Sequence, residues 1–400
     1  MTGPLHAALD VGAATTKLAL VGAAAPVALE RPTPAGGLAG FLRDLLVEGR
    51  SQVPGEPGSI TVVTPEAWFD GGERGARAQE EMREIVAGLG WPETAWVGQV
   101  AAAAARAAAR HRFEVPGPYL VCDAGASGVT VARCEVTGRT VLPCEVAEGG
   151  PGASVGGRAY ETTFAGRRPM GTALDLPSLV REHGDLIRRV LDRTVDDRRG
   201  RTEPLLGEGV VTVAELARGF APTAEWIGTA VPVLLAARPP AQAVVTGGFG
   251  EFPLVERAVR AATGVEPQVL GRFGAVEGAL LMARGRARAA VFDVPDVSVA
   301  VSRVKDGLLE SHWVRVNPRS APYAYFRGDP LVVETGAESA RIRLKVSGRI
   351  TAVVPPPLAG GHHLALHPAR SGPGTLVFRP VGGGPSVLVP LGPGRPRDDP

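Results

Sequence analysis

The sequence predicts an α/β fold of two similar halves followed by an all-β domain. Ala8-Leu-Asp10-Val-Gly12-Ala-Ala14-Thr-Thr-Lys17-Leu-Ala and Val121-Cys-Asp123-Ala-Gly125-Ala-Ser127-Gly-Val-Thr130-Val-Ala share one pattern. Each is an apolar strand, then Asp-x-Gly-Ala-small, then a second apolar strand. Strand-like runs alternate with helical periodicities as far as residue 289. Beyond it the helical period is lost, and short β-branched runs are separated by Gly and Pro.

Taken in order, residues 4–50 read as two strands meeting around 10–16, a Pro/Gly connection, and a helix near 38–48. Residues 59–64 form a β-branched strand ended by Pro65, and 74–89 carry helical charge spacing closed by Gly90. The alanine-rich run 100–110 favours a helix and permits close packing. A second strand pair spans 119–134 and breaks at 123–128. From 151 to 208 the strand signal fades into Arg/Asp-rich sequence with one helix at 178–193. Thr212, with Glu215 three residues on, forms a capping box opening a helix over 212–237. Residues 243–246 read as a buried strand entering Gly247-Gly248, followed by helices at 253–262 and 275–288.

Eight short strands follow, at 297–304, 308–316, 331–334, 340–346, 350–354, 363–367, 375–379 and 386–389, as in a β-sandwich or barrel. The expected domains are 1–289, in lobes of about 1–118 and 119–289, and a β-rich domain at 290–388. Residues 389–400 read as a disordered tail.

A net charge of +2 gives no electrostatic reason to expect a nucleic-acid partner. No apolar run reaches the length of a membrane span, and Asp10 and Lys17 interrupt what would be a signal-peptide core. Cys122, Cys134 and Cys144 are odd in number and lack metal-ligand spacing, so they read as reduced thiols of a cytoplasmic protein. His363 and His367 share a strand face, but no carboxylate or cysteine is near them in sequence, which argues against a metal site.

A surface hairpin explains either Asp-x-Gly turn alone; two copies in matching settings favour a phosphate turn. Glycine and small neighbours let backbone N–H groups approach phosphate oxygens, which makes Gly12, Ala13, Ala14 and Thr15, and Gly125, Ala126 and Ser127, candidate binding residues. An aspartate at a strand end can hold Mg²⁺ through water, so Asp10 and Asp123 are the candidate metal-facing pair. Lys17 can add a point charge on a β- or γ-phosphate. It stands out because the other basic positions outside Lys305 and Lys345 are arginine.

Together these motifs resemble the actin-like ATPase superfamily (a duplicated ribonuclease H-like fold), and most closely the nucleotide-binding domain of DnaK-type heat-shock chaperones of the heat shock protein 70 family. Further stretches carry the resemblance. Val62-Val-Thr-Pro-Glu-Ala-Trp-Phe-Asp70 and the helix after it are similar to the family's "VP-aromatic-F" turn and helix ending in "AGL". Val97-Gly-Gln-Val-Ala-Ala-Ala-Ala-Ala105 is similar to "NEPTAAA", and Glu148-Gly-Gly with Val155-Gly-Gly-Arg-Ala-Tyr-Glu161 to "GD..LGGEDFD". Val244-Val-Thr-Gly-Gly-Phe-Gly-Glu-Phe-Pro-Leu-Val255 resembles the adenosine loop "LVGGSTRIPKV", and Phe273-Gly-Ala-Val-Glu-Gly-Ala279 resembles "AVALGAA".

The resemblance implies ATP or ADP with Mg²⁺ in an interlobe cleft. Asp10, Lys17 and Asp123 would be the catalytic set, and Gly247, Gly248 and Phe249 would contact the nucleotide. It also implies a polypeptide client or protein partner at the β-rich domain. The departures weaken hydrolysis. Ala13 and Ala14 replace hydroxyl residues, Gly128 a threonine and Thr130 an aspartate. Gln99 replaces a glutamate and cannot act as a general base. Glu251 stands where an arginine would stack on adenine. The span from Lys17 to Ser59 is too short for the family's small lobe, and residues 164–208 resemble a shrunken second one. Lys17 itself matches the phosphate-turn lysine of actin and its bacterial relatives. The sequence therefore predicts a divergent DnaK-like nucleotide-binding protein with slow hydrolysis at most. The alternatives are a catalytically inactive scaffold or regulatory pseudo-ATPase, and an actin-like filament, cell-division or pilus-type protein.

Overall fold

A computed structural model describes residues 3–23, 25–69, 73–149, 155–164, 176–192, 212–236, 239–290, 297–305, 308–316, 325–326, 329–335, 342–346, 348–353, 360–367 and 374–391. The first sheet contains β1 (Pro4–Val11), β2 (Thr15–Val21), β3 (Val27–Pro32), β4 (Glu56–Thr64) and β5 (Glu93–Gly98), in the order β3-β2-β1-β4-β5. The pairs β1–β2 and β2–β3 are antiparallel, whereas β1–β4 and β4–β5 are parallel.

The second sheet repeats that plan. β6 (Gly117–Ala124), β7 (Val129–Thr137), β8 (Thr140–Gly149), β9 (Gln242–Thr246) and β10 (Pro267–Gly271) run in the order β8-β7-β6-β9-β10, with the same directions. β11 (Arg288–Ala289) adds one strand beside β8. The register repeats as well. Asp10 lies opposite Lys17 and Val63, and Asp123 lies opposite Thr130 and Thr246. The two aspartates thus occupy the same node of two copies of one sheet. This duplicated, two-lobed topology is the actin-like ATPase fold.

The helices are α1 (Leu38–Gln52), α2 (Glu73–Ala87), α3 (Gln99–Arg110), α4 (Gly157–Thr162), α5 (Leu176–Asp192), α6 (Val213–Leu235), α7 (Pro253–Thr263) and α8 (Gly274–Ala283). α3 buries Ala101 to Ala105, Ala107 and Ala108, and Gly278 of α8 lies against its Ala102 carbonyl. The small side chains let the two helix backbones meet between the sheets. Thr212 and Glu215 form the reciprocal capping box that their spacing predicts. α8 is shorter than expected because the chain turns at Gly285, whose φ is 65°. Where a plain Pro/Gly connection was expected, β3 forms a half-exposed edge strand, the position that tolerates proline.

The chain divides into two compact units, Met1–Glu66 with Leu89–Ala290, and Ala67–Gly88 with Val291–Pro400. α2 therefore groups with the β-rich unit, although the strands on either side of it in sequence belong to the first sheet.

That unit has one antiparallel sheet of β12 (Val297–Lys305), β13 (Leu308–Val316), β17 (Ile342–Val346) and β18 (Arg349–Val353), in the order β13-β12-β17-β18. A two-stranded ribbon, β14 (Tyr325–Phe326) with β15 (Asp329–Pro330), lies between them in sequence. The other sheet is β16 (Val332–Thr335), β19 (Gly360–His367), β20 (Thr375–Pro380) and β21 (Val387–Pro390), in that order. Val299 and Leu344 of one sheet share a core with Leu364, Leu366, Leu376 and Phe378 of the other, which makes a sandwich. β21 runs into the expected tail and Leu391 is buried there; 392–400 lie outside the described residues.

Leu364 and Leu366 face that core, so His367 points from the opposite face of β19. A carboxylate does reach it, from 287 residues away: Glu80 of α2 bonds His367 Nε2 at 2.9 Å, Arg379 Nη2 at 2.6 Å and Ser386 Oγ at 3.1 Å. His367 is thus one member of a buried ionic cluster. No helix among the described residues is long and apolar enough to cross a membrane. Cys122, Cys134 and Cys144 form no disulfide among the described residues.

Candidate functional site

The strand alternation that buries Leu9 and Leu18 also places Asp10 and Lys17 side by side on neighbouring strands. Lys17 Nζ lies 3.3 Å from Asp10 Oδ2, and both residues are buried. Asp10 Oδ1 is buried with no hydrogen-bond partner. Asp123 joins them electrostatically. Burial, and then the charge of Asp10, push its carboxyl up to about 7, while Lys17 pulls the other way. Two carboxylates and one ammonium therefore share a water-poor site.

Gly247 completes the wall. Its φ is 88°, and a Cβ there would stand 2.6 Å from Asp123 Oδ1, so only glycine lets this loop approach the aspartate. Gly248 faces open space. Phe249, which the resemblance puts beside the nucleotide, turns its side chain inward. Its side chain is buried among Tyr160, Phe220 and Phe252, so it supports the loop from within the core.

Both turns close as tight hairpins. Gly12 N–H donates to Thr15 O at 3.1 Å, and Gly125 N–H to Gly128 O at 2.9 Å. Ala13, Ala14 and Ser127 are exposed at the tips. Thr15 Oγ1 donates to Glu30 at 2.9 Å, and the Thr33 hydroxyl donates to Gly12 O at 2.7 Å. The first turn is therefore braced by β3 and the residue just beyond it.

Arg158 and Arg272, which bridge the two lobes, carry no motif that marks them in the sequence. Arg158 of α4 donates from Nη2 to Ala13 O at 2.8 Å, across from one lobe to the other. Arg272 binds the Glu251 carboxylate through Nε and Nη2, at 3.1 and 2.5 Å, and reaches Glu30 at 3.2 Å. Glu251 is thus the partner of an arginine, and those bonds hold its carboxyl below the usual range although burial pushes it up. Glu66, buried just after β4, accepts the Val100 N–H at 3.1 Å and caps α3, where Gly98 has no side chain to do so. Glu277 pairs with Arg106 at 2.6 Å, which ties α8 to α3. The segments 165–175 and 193–211, part of the expected second small lobe, lie outside the described residues.

The donor set suits a hydrated divalent ion. Asp10 has an oxygen with no protein partner, and Mg²⁺ prefers one or two carboxylates while keeping its water. Among the described residues no group of three His, Cys, Asp or Glu side chains could hold a metal by itself.

No family model matches the sequence, and no curated protein matches it. Similar solved structures include the ethanolamine utilization protein EutJ from Carboxydothermus hydrogenoformans, at 17% identity and TM-score 0.44 over 70% of this chain and 89% of that one. The ROK hexokinase from Thermus thermophilus is similar at 20% identity and TM-score 0.42, over 72% of this chain and 99% of the other. The PilM–PilN type IV pilus biogenesis complex is similar at 13% identity and TM-score 0.46, over 70% and 98%.

Proposed function

We propose that this protein binds Mg-ATP or Mg-ADP between its two Asp-x-Gly turns and uses the nucleotide state to control contacts with a protein partner. The observation that carries the reading is the buried Asp10–Lys17–Asp123 cluster with its unpartnered Asp10 oxygen. Asp10 and Asp123 would face Mg²⁺ through water, and Lys17 would meet a phosphate. The ion supplies charge neutralisation on the phosphates when bound. Gly12 to Thr15, Gly125 to Ser127, Gly247 and Gly248 would line the ligand, and the β-rich unit would meet the partner.

Hydrolysis is slow at most in this reading. Gln99 cannot accept a proton, and Ala13 and Ala14 offer no hydroxyls. A scaffold or assembly protein of the pilus or cell-division type fits these residues better than a client-processing chaperone. Lys17, which matches the phosphate-turn lysine of actin and its bacterial relatives, and the short span before Ser59 support that alternative. A cytoplasmic location accompanies the proposal.

Calorimetric titration with Mg-ATP and Mg-ADP tests it, with Asp10→Ala as control. Saturable binding lost in the variant supports the reading, and no binding by the wild type removes it. Phosphate release assays on the same samples separate a slow ATPase from a pure binder. Sedimentation that depends on ATP would select the filament alternative.

A further inference from the structure

Arg158 touches both turns at once. Its backbone N–H donates to Ala126 O at 2.9 Å on the second turn, and its guanidinium donates to Ala13 O at 2.8 Å on the first. We propose that Arg158 is the residue by which the site reads the terminal phosphate of a nucleoside triphosphate, an inference that rests on the nucleotide-binding reading above.

The base of the side chain is fixed. Gly157 N–H bonds Gly125 O at 3.0 Å, and Gly156 adopts a φ of 116° that packs it against the second turn. A Cβ on Gly156 would stand 2.7 Å from Gly128 N, so the start of α4 and the turn interlock. Behind it, Tyr160 is buried in the aromatic cluster and donates its hydroxyl to Leu216 O at 3.1 Å. The guanidinium is exposed and extends from this rigid mount across to the other lobe.

Its partner there is poorly matched. A neutral carbonyl uses one of five N–H donors, whereas a phosphate can take two in a charge-assisted fork. The other cations of the site are engaged: Lys17 with Asp10, and Arg272 with Glu251 and Glu30. Among the described residues Arg158 has no ion pair. A third phosphate between the turns adds charge that the buried cluster, already holding two carboxylates to one ammonium, does not neutralise. Arg158 is the cation placed to do so, and a diphosphate demands less of it.

The test compares binding of Mg-ATP, Mg-ADP and adenosine to the wild type, Arg158→Gln and Arg158→Lys by calorimetry, with thermal unfolding of each ligand-free protein. The expected result is a loss of about tenfold or more for ATP in Arg158→Gln, a smaller loss for ADP and none for adenosine. Arg158→Lys should fall between, keeping the charge without the fork. Equal losses for all three ligands, with a lower melting temperature, would make Arg158 a strut between the lobes and overturn the proposal. An unchanged ATP-to-ADP ratio would also overturn it while leaving nucleotide binding intact. A wild type that binds none of the three removes both readings together.

Discussion

Arg272 on the second lobe reaches Glu30 on the first, Nη1 to Oε2 at 3.2 Å, while its remaining donors hold Glu251. Glu30 in turn accepts from Thr15 of the first turn at 2.9 Å. A single arginine therefore links the first turn to the loop that follows Gly247. Arg272 and Glu30 are both partly exposed, so the pair contributes little to stability, about 0–1 kcal/mol.

Its expected effect is on rate. Glu30→Gln should speed association of a fluorescent Mg-nucleotide in stopped-flow at low salt, and the advantage should vanish at high salt. An association rate equal to that of the wild type at every ionic strength would show that the pair does not restrain the lobes.

The contact between α3 and α8 gives a stability prediction. A methyl group at Gly278 would run into the Ala102 carbonyl, and neither helix backbone can yield without disturbing the sheet it covers. Gly278→Ala should destabilise by about 1–3 kcal/mol despite its better helix propensity, read as a lower urea midpoint at unchanged slope. Gly228→Ala, with open space around the added methyl in α6, should be neutral or mildly stabilising.

The Glu80 cluster sets an acid sensitivity. Burial pushes the Glu80 carboxyl up, but the hydrogen bonds from Arg379 and His367 outweigh it and hold the group well below its ordinary 4.5. His367 is lowered from 6.5, chiefly by burial, against the pull of its Glu80 bond; Arg83 and Arg379 also disfavour its charge. In both cases the unfolded chain binds the proton more readily, so stability rises with pH. It should be full above about 6.5, decline as His367 protonates on unfolding, and fall further below about 4.5. Melting temperatures from pH 7.5 to 4 test this. Glu80→Gln should cost most at neutral pH, with its deficit from the wild type shrinking in acid.

What the sequence disclosed followed from local signals. The paired Asp-x-Gly turns, the alanine-rich α3 and the Thr212 capping box each rest on residues adjacent in the chain, so pattern and chemistry were readable together. β3, β5, β8 and β10 were not: β3 and β5 are sheet edges with weak alternation, and β10 is a five-residue strand ending in glycine. The grouping of α2 with the β-rich unit was illegible because it depends on Glu80 meeting residues nearly 300 positions later. Arg158 stands where the resembling family segment carries an acid, so the resemblance points away from a cation at that position. Arg272 depends on Glu251, 21 residues away in the chain, and no local pattern joins the two.

The buried ion pair at the first turn gives the most direct test of the site. Lys17 and Asp10 face each other across β1 and β2 with almost no exposure, so removing either charge leaves the other unpaired in the interior. Lys17→Met should therefore destabilise the protein by about 3–5 kcal/mol, because Asp10 is then buried without its cation while still repelling Asp123. Asp10→Asn in the same background should recover most of that loss, since neither member of the pair is then left as an unpaired buried charge. A double-mutant cycle in urea measures the coupling directly, and a value near zero would mean the pair is solvated enough to be energetically idle. Millimolar Mg²⁺ adds a second readout. If the two carboxylates can face a hydrated cation, the ion should restore part of the stability of Lys17→Met and do nothing for the double variant. Restoration in both would place the ion elsewhere on the chain.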